Sequence, residues 1–145
     1  LTPYQYSKGN ESLNPNELNI GWLSNEVSFE KGPTSQEFKD KLLKFCSDEF
    51  IVYIAKGFHA CEFCGLSWTQ WHDEQKDKYK NAHWASIGDG EIRVLGKSVV
   101  YAAPALIYHY VVEHQYKPPD EFIEAILAGE PDSIEQKELF RKYSW

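Results

Sequence analysis

The middle of the chain contains the sequence Gly57-Phe58-His59-Ala60-Cys61-Glu62-Phe63-Cys64. Its last four residues, 61–64, form a Cys-x-x-Cys knuckle, in which two thiolates can converge on one metal ion. Zn²⁺ favours thiolate and imidazole ligands, and structural sites usually supply four of them in a tetrahedron. In an extended segment, residues two positions apart point to the same face, so His59 and Cys61 can face one ion. This stretch therefore predicts the first part of a structural zinc site.

Two further histidines lie on an apolar segment downstream. Pro104 stands where the first residue of a helix is expected, and residues 105–115 continue as an apolar helical pattern that carries His109 and His114. At about 100° per residue, the two histidines lie roughly 140° apart around a regular α-helix. Both can therefore bind one ion only if the helix unwinds near its end. We predict that the zinc ligands are His59, Cys61, Cys64 and His109, with His114 as the replacement for either histidine.

Two other interpretations of the cysteine pair compete with the metal site. A redox pair needs a helix N-terminus after a strand, and residues 50–55 have the aromatic and β-branched composition of a strand. Two unrelated buried thiols are the other alternative. The third cysteine, Cys46, falls in an amphipathic helical pattern, where a cysteine usually acts as a small buried hydrophobe. The odd number of cysteines argues against a disulfide framework, and the nearby histidines favour the metal.

The segments around the knuckle predict an α+β fold. Residues 91–94 and 98–102 flank a glycine-containing loop and predict a β-hairpin. Thr34 and Glu37 form a capping box that begins one helix, and residues 121–128 predict another. We expect a single domain of 145 residues. In this domain a small antiparallel sheet or hairpin packs against several helices, and the zinc site joins the knuckle to a helix.

Two segments are expected to lie outside the packed sheet and helices. Residues 1–19 are polar and interrupted by proline and glycine, which predicts a loose N-terminal arm. Residues 65–83 are polar as well, and predict a long surface excursion with room for a short helix. This excursion carries Trp68 and Trp71, which we expect to be exposed and to bind a partner, because tryptophan is enriched at interface hot spots.

Three motifs lie in the central part of the chain. They are His-x-Cys-x-x-Cys at residues 59–64, Glu-Ile-Arg-Val at 91–94 and Tyr-Ala-Ala-Pro-x-Leu-Ile-x-His-Tyr at 101–110. Together they resemble a family of small, uncharacterised bacterial proteins. The resemblance covers roughly residues 57–128 and leaves the first 50 and the last 15 residues outside. It implies a metal site and no particular activity.

The charge of the chain restricts its partners. The formal net charge is −7 and the isoelectric point is about 5.2, and such a surface repels nucleic acid phosphates. No apolar run approaches the ~20 residues that span a bilayer. We therefore predict no nucleic-acid partner, no membrane contact and a cytoplasmic location. Because the first residue is not methionine, we also expect a processed or trimmed N-terminus.

These features favour a protein that binds another protein over an enzyme. Immunity-type inhibitors of basic bacterial toxins work in this way, because an acidic face meets a cationic active site. The alternative is a zinc-dependent hydrolase with an open metal position, in which Glu62 or Glu91 serves as general acid or base. The chain lacks the His-Glu-x-x-His motif of such enzymes, so we predict that the zinc is structural.

Overall fold

The computed structural model describes residues 6–8, 17–21, 23–26, 28–52, 60–78 and 90–143. Within these ranges the chain forms four β-strands, five α-helices and a short 3-10 helix, Asp48–Phe50. The elements, in chain order, are β1 (Tyr6–Lys8), β2 (Glu17–Ile20), α1 (Gln36–Phe45), α2 (Trp68–Lys78), β3 (Glu91–Leu95), β4 (Val100–Pro104), α3 (Ile107–His114), α4 (Asp120–Ala128) and α5 (Ile134–Tyr143). The predicted α+β class is confirmed.

The four strands form one sheet in the order β1-β2-β4-β3. β3 and β4 form the antiparallel hairpin that the sequence predicts, with Glu91 opposite Pro104 and Leu95 opposite Val100. β2 lies parallel to β4, whereas β1 is antiparallel to β2. The predicted antiparallel hairpin is therefore present, and the parallel β2–β4 pair makes the whole sheet mixed.

The N-terminal segment takes part in this sheet. The sequence predicts a loose arm over residues 1–19, but residues 6–8 and 17–20 form strands. Glu17 is buried in β2, where the guanidinium of Arg93 on β3 lies 3.6 Å from its carboxylate. A buried carboxylate is tolerated when it is paired in this way, and the pair is invisible in the local sequence because its partner is distant along the chain.

The outer edge of β3 is covered by two other parts of the chain. Val52 exchanges two backbone hydrogen bonds with Glu91, at 2.8 and 2.9 Å. Further along the strand, Gln136 on α5 donates to the carbonyl of Arg93 and accepts the N–H of Leu95. An uncovered edge would offer unpaired backbone groups to other chains, so both contacts protect the sheet. Of the strand predicted over residues 50–55, Val52 makes this bridge, while residues 53–55 lie outside the described ranges.

α1 supplies much of the core. It begins one residue later than the capping box predicts, because Ser35, and not Thr34, accepts the N–H of Phe38, at 3.1 Å. Its buried face packs against α3 and α4, and the rings of Phe38 and Phe122 meet edge to face at 6.5 Å. Fully burying a large apolar side chain stabilises the fold by about 1.5–3 kcal/mol.

The predicted surface excursion contains the 11-residue helix α2. Trp71 and Gln75, one turn apart, are buried, while Glu74, Lys76 and the other described side chains of the helix face solvent. With one large apolar side chain facing inward, the sequence shows little of the periodicity that indicates an amphipathic helix. Each helix of the described ranges falls well short of the length and apolarity needed to cross a membrane.

Candidate metal centre

Four potential metal ligands converge between the knuckle and the end of α3. They are Cys61, Cys64, His109 and His114, and their ligand atoms all lie within 4.8 Å of one another. His114 Nε2 lies 3.3 Å from Cys61 Sγ and 3.5 Å from Cys64 Sγ. His109 Nε2 lies 3.3 Å from Cys64 Sγ. The cluster thus joins two segments that are far apart in the sequence.

These distances fit the edges of a zinc tetrahedron. With Zn–S of about 2.3 Å and Zn–N of about 2.0 Å, the sulfur–nitrogen edge of a tetrahedral site is about 3.5 Å. The three sulfur–nitrogen distances, 3.3, 3.3 and 3.5 Å, lie close to this value. A thiol–imidazole hydrogen bond would also bring one sulfur near one ring. His114 Nε2, however, lies near both sulfurs, as convergence on a common centre requires.

The knuckle is a tight turn, and its backbone N–H groups point toward the sulfur of Cys61. Glu62 and Phe63 form the turn, and the amides of Phe63 and Cys64 both donate to Cys61 Sγ. Such N–H donors stabilise a thiolate, which is the ligand form of cysteine. The carboxylate of Glu62 points away to accept the N–H of Asn25 at 3.0 Å, which ties the knuckle to the segment before α1.

The end of α3 explains how two histidines five residues apart reach one point. The N–H groups of Gln115 and Tyr116 both donate to the carbonyl of Tyr110, five and six residues back, where a regular α-helix bonds four back. Gln115 then leaves the helix with a left-handed φ of 58°. This last turn is wider than α-helical, so α3 unwinds near its end. The unwinding that the sequence requires for a shared ion is present.

Aromatic side chains enclose the cluster on its inner side. Trp71 on α2 is 1% exposed and meets the ring of His109 edge to face, with centroids 5.6 Å apart. Phe63 lies 5.4 Å from the ring of His114. An ion pair between Lys78 and Glu113, at 2.6 Å, also joins α2 to α3. α2 therefore covers the buried side of the cluster.

The chain also matches a known protein family. Residues 1–127 match the family described as Domain of unknown function (DUF7919). The chain belongs to this family. All four residues of the cluster lie within the match, and so do the first 50 residues, which the resemblance in the sequence leaves outside. Comparison with curated proteins gives no match, and neither does comparison with solved structures.

In the DUF7919 domain, burial keeps both histidines in the form that binds a metal. Burial, followed by the charges of His114 and Lys78, lowers the pKa of His109 to about 3. Burial also lowers the pKa of His114, against the opposing charge of Glu113. Both rings are therefore neutral at pH 7, and neutral imidazole is the metal ligand.

The thiol of Cys61, in contrast, must lose its proton before the sulfur can bind a metal. Burial raises its pKa to about 12, although the amides of Phe63 and Cys64 work against the shift. A buried thiolate needs a compensating positive charge, and a divalent cation between the two sulfurs would supply it. The donor set of the DUF7919 domain, two thiols and two neutral imidazoles, therefore fits Zn²⁺.

Most of the ligands predicted from the sequence lie in the cluster. Three of the four predicted ligands, Cys61, Cys64 and His109, lie in the cluster, and the reserve histidine, His114, lies there too. His59 falls outside the described residues.

The sequence predicts that Trp68 and Trp71 are exposed on a partner-binding surface, and the structure describes only the side chain of Trp71. Trp71 is buried against His109, which corrects the expectation that its side chain is exposed. The polar sequence around it gives no sign of this contact, because the partner ring lies on α3. The side chain of Trp68 is outside the described part of the structure.

Proposed function

We propose that the DUF7919 domain binds one Zn²⁺ ion through Cys61, Cys64, His109 and His114, and that this ion is structural. The observation that carries the proposal is the convergence of all four ligand atoms within 4.8 Å. An ion there would clamp the knuckle to the end of α3. Because the free energy of binding a structural metal is also folding free energy, the ion would stabilise the domain.

The chemistry of the ligands supports zinc over other common ions. Two sulfurs and two imidazole nitrogens in a tetrahedral arrangement are typical of zinc, whereas Mg²⁺ and Ca²⁺ take oxygen ligands. Four protein ligands fill a tetrahedral shell, whereas a catalytic zinc keeps one position for water or substrate. The arrangement therefore supports a structural role.

A hydrolase is the weaker proposal for the same site. It needs an open metal position and a nearby general acid or base. The two carboxylates that the sequence offers have other contacts. Glu62 accepts the N–H of Asn25, and Glu91 accepts from Arg93 at 2.9 Å on the sheet.

Elemental analysis of the purified full chain tests the zinc proposal. We expect about one zinc per chain, and the same in Cys46→Ala, whose thiol is buried in the core away from the cluster. Cys64→Ser should lose most of the metal, because serine is a poor ligand for zinc. Substitution with Co²⁺ should give the visible absorption of a tetrahedral sulfur–nitrogen site. A native chain that takes up neither metal would rule the proposal out.

We further infer that the domain acts by binding a basic protein, with an immunity-type inhibitor of a bacterial toxin as the specific form. The support is electrostatic: the net charge is −7, and exposed carboxylates follow one another along α4, the following turn and α5. They are Asp120, Glu121, Glu124, Asp132, Glu135 and Glu138. Charge of this kind steers a cationic partner and speeds association.

Co-purification from the native host tests this second proposal. We expect a basic protein to be retained at low ionic strength and released as salt is raised, because exposed charges are screened over about 10 Å at 0.1 M salt. The double substitution Glu121→Lys with Glu124→Lys should weaken retention, whereas Lys142→Glu at the far end of α5 should not. Recovery of no basic protein, or retention that is indifferent to salt, would contradict it.

A further inference from the structure

We propose that Cys61 and Cys64 are also a redox modification site: a hydroperoxide converts the zinc-bound pair to a disulfide and thereby releases the metal. This inference rests on the zinc site proposed above, because bound zinc holds both sulfurs as thiolates. The thiolate, and not the thiol, is the form that reacts with peroxide.

The geometry of the knuckle permits the disulfide without rearrangement of its neighbours. Cys61 and Cys64 are the first and fourth residues around the turn at Glu62 and Phe63. The first and fourth Cα atoms of a turn are less than about 7 Å apart, and disulfides span about 4.4–6.8 Å between Cα atoms. The two sulfurs lie within 4.8 Å of each other. Rotation of the side chains within the turn can therefore bring them together.

The two sulfurs differ in their access to solvent. Cys61 is 3% exposed, whereas Cys64 and His114 are both partly exposed. The inner side of the cluster is closed by Trp71. A small oxidant therefore meets Cys64 first, and Cys61 is placed behind it as the resolving thiolate. Cys46, at 0% exposure, is shielded from the same oxidant.

The reaction is balanced with the peroxide as the only oxidant. The thiolate of Cys64 attacks one oxygen of H₂O₂, the O–O bond breaks, and Cys64 sulfenic acid and hydroxide form. The thiolate of Cys61 then attacks the sulfur of Cys64, the S–O bond breaks, and a second hydroxide leaves as the disulfide forms. Two thiolates lose two electrons in total, and the peroxide gains them. The two hydroxides carry the negative charge that the two thiolates lose, and they balance the charge of the released Zn²⁺.

Loss of both thiolates would open the clamp between the knuckle and α3. His109 and His114 alone supply two of the four ligands of a structural site, so the ion is no longer retained. Aromatic contacts remain across this junction, such as the ring contact between Phe63 and His114. Reduction by a dithiol restores the thiols and lets zinc return, so the modification is reversible.

The experiment uses the zinc-loaded full chain and hydrogen peroxide. Released zinc is followed with a chromogenic chelator, and the oxidised chain is mapped by mass spectrometry. We expect one zinc lost for each Cys61–Cys64 disulfide formed, with the mass of two hydrogen atoms lost from the reduced chain. A phosphine reductant and added zinc should restore the starting stoichiometry. Zinc that stays bound, or that leaves while the two sulfurs form sulfinic acids, would overturn the inference.

Two variants sharpen the result. Cys46→Ala should release zinc at the native rate. Cys64→His keeps four ligand groups but cannot form the disulfide, so its zinc should leave at least about tenfold more slowly. If Cys64→His binds no zinc, the native chain alone tests the inference, through the zinc released for each Cys61–Cys64 disulfide found by mass spectrometry. A native chain that holds no zinc before oxidation contradicts the proposed function, whereas a zinc-loaded chain that resists peroxide contradicts this inference alone.

Discussion

Among the four candidate ligands, His114 is the one whose position depends most on local backbone geometry. It is the last residue of α3, and Gln115 after it takes the left-handed conformation. Its ring is held by contacts on two sides, 5.4 Å from Phe63 and 5.1 Å from the ring of His109. A side chain at the end of a helix loses more freedom on binding than one in the core. A metal ion and the widened turn of α3 should therefore stabilise each other.

Substitution of the two candidate histidines should separate their roles. We expect His114→Ala to weaken zinc binding by more than about 100-fold, because even the outer partners of metal ligands contribute about 10–100-fold. His59→Ala should bind zinc with native affinity, because the four-residue cluster is complete without it. Competition with a chromogenic chelator measures both affinities. If His59→Ala weakened zinc binding and His114→Ala did not, His59 would be the ligand in place of His114.

The contribution of Trp71 to the stability of the fold can be measured by substitution. Its indole is 1% exposed and packs on His109, so Trp71→Ala should lower the free energy of unfolding by about 3–5 kcal/mol. Glu74→Ala, on the exposed side of the same helix, should change it by less than about 0.5 kcal/mol. Denaturant unfolding of both zinc-loaded variants provides the comparison. Equal, small effects would show that Trp71 does not support the core.

The elements that could be predicted from the sequence have strong local signals. The β3–β4 hairpin has alternating residues around a glycine-containing loop, and α1 has a cap followed by apolar residues at helical spacing. β2 has no such signal, because Glu17 is stabilised in the sheet by Arg93 on another strand. For α2 the sequence leaves room for a short helix but does not show its buried face, because Trp71 and Gln75 are the buried positions and glutamine does not mark a core face.

Lys41 links α1 to the end of α4, and this link can be tested. Its amine donates to the carbonyls of Leu127 and Gly129 and pairs with Glu130 at 2.8 Å. A cation at the C-terminal end of a helix also interacts favourably with the helix dipole. We expect Lys41→Met, which keeps the apolar stem, to cost about 1.5–3 kcal/mol, the range for hydrogen bonds that involve a charged group.

The matched control for Lys41 removes only the ion pair. The side chain of Glu130 is 58% exposed, and exposed ion pairs contribute little, so Glu130→Gln should cost less than about 1 kcal/mol. Both values come from urea unfolding under identical conditions. If Glu130→Gln is as costly as Lys41→Met, the carbonyl contacts do not matter and the link is purely ionic.

Across the whole molecule, the candidate metal centre connects regions that are far apart in the sequence. A metal cross-link between Cys64 and His109 would close a loop of about 45 residues, and the lost entropy of the unfolded chain would be worth about 4 kcal/mol. The thiol and imidazole content of the site could be predicted from residue types and spacing. The choice between His59 and His114 could not, because it depends on a turn of α3 that departs from ideal helical geometry.

The buried thiol of Cys46 makes the stability of the zinc-loaded domain sensitive to alkali. Burial raises the pKa of this thiol far above its ordinary value of 9.0, against a backbone hydrogen bond from Tyr108. The unfolded chain ionises the thiol above pH 9 and the folded chain does not, so this contribution is complete below pH 9 and lost as pH rises. Between pH 9 and 10, the free energy of unfolding should fall by about 1 kcal/mol more in the native chain than in Cys46→Ala. Urea unfolding at both pH values measures the difference, and equal slopes in the two chains would disprove it.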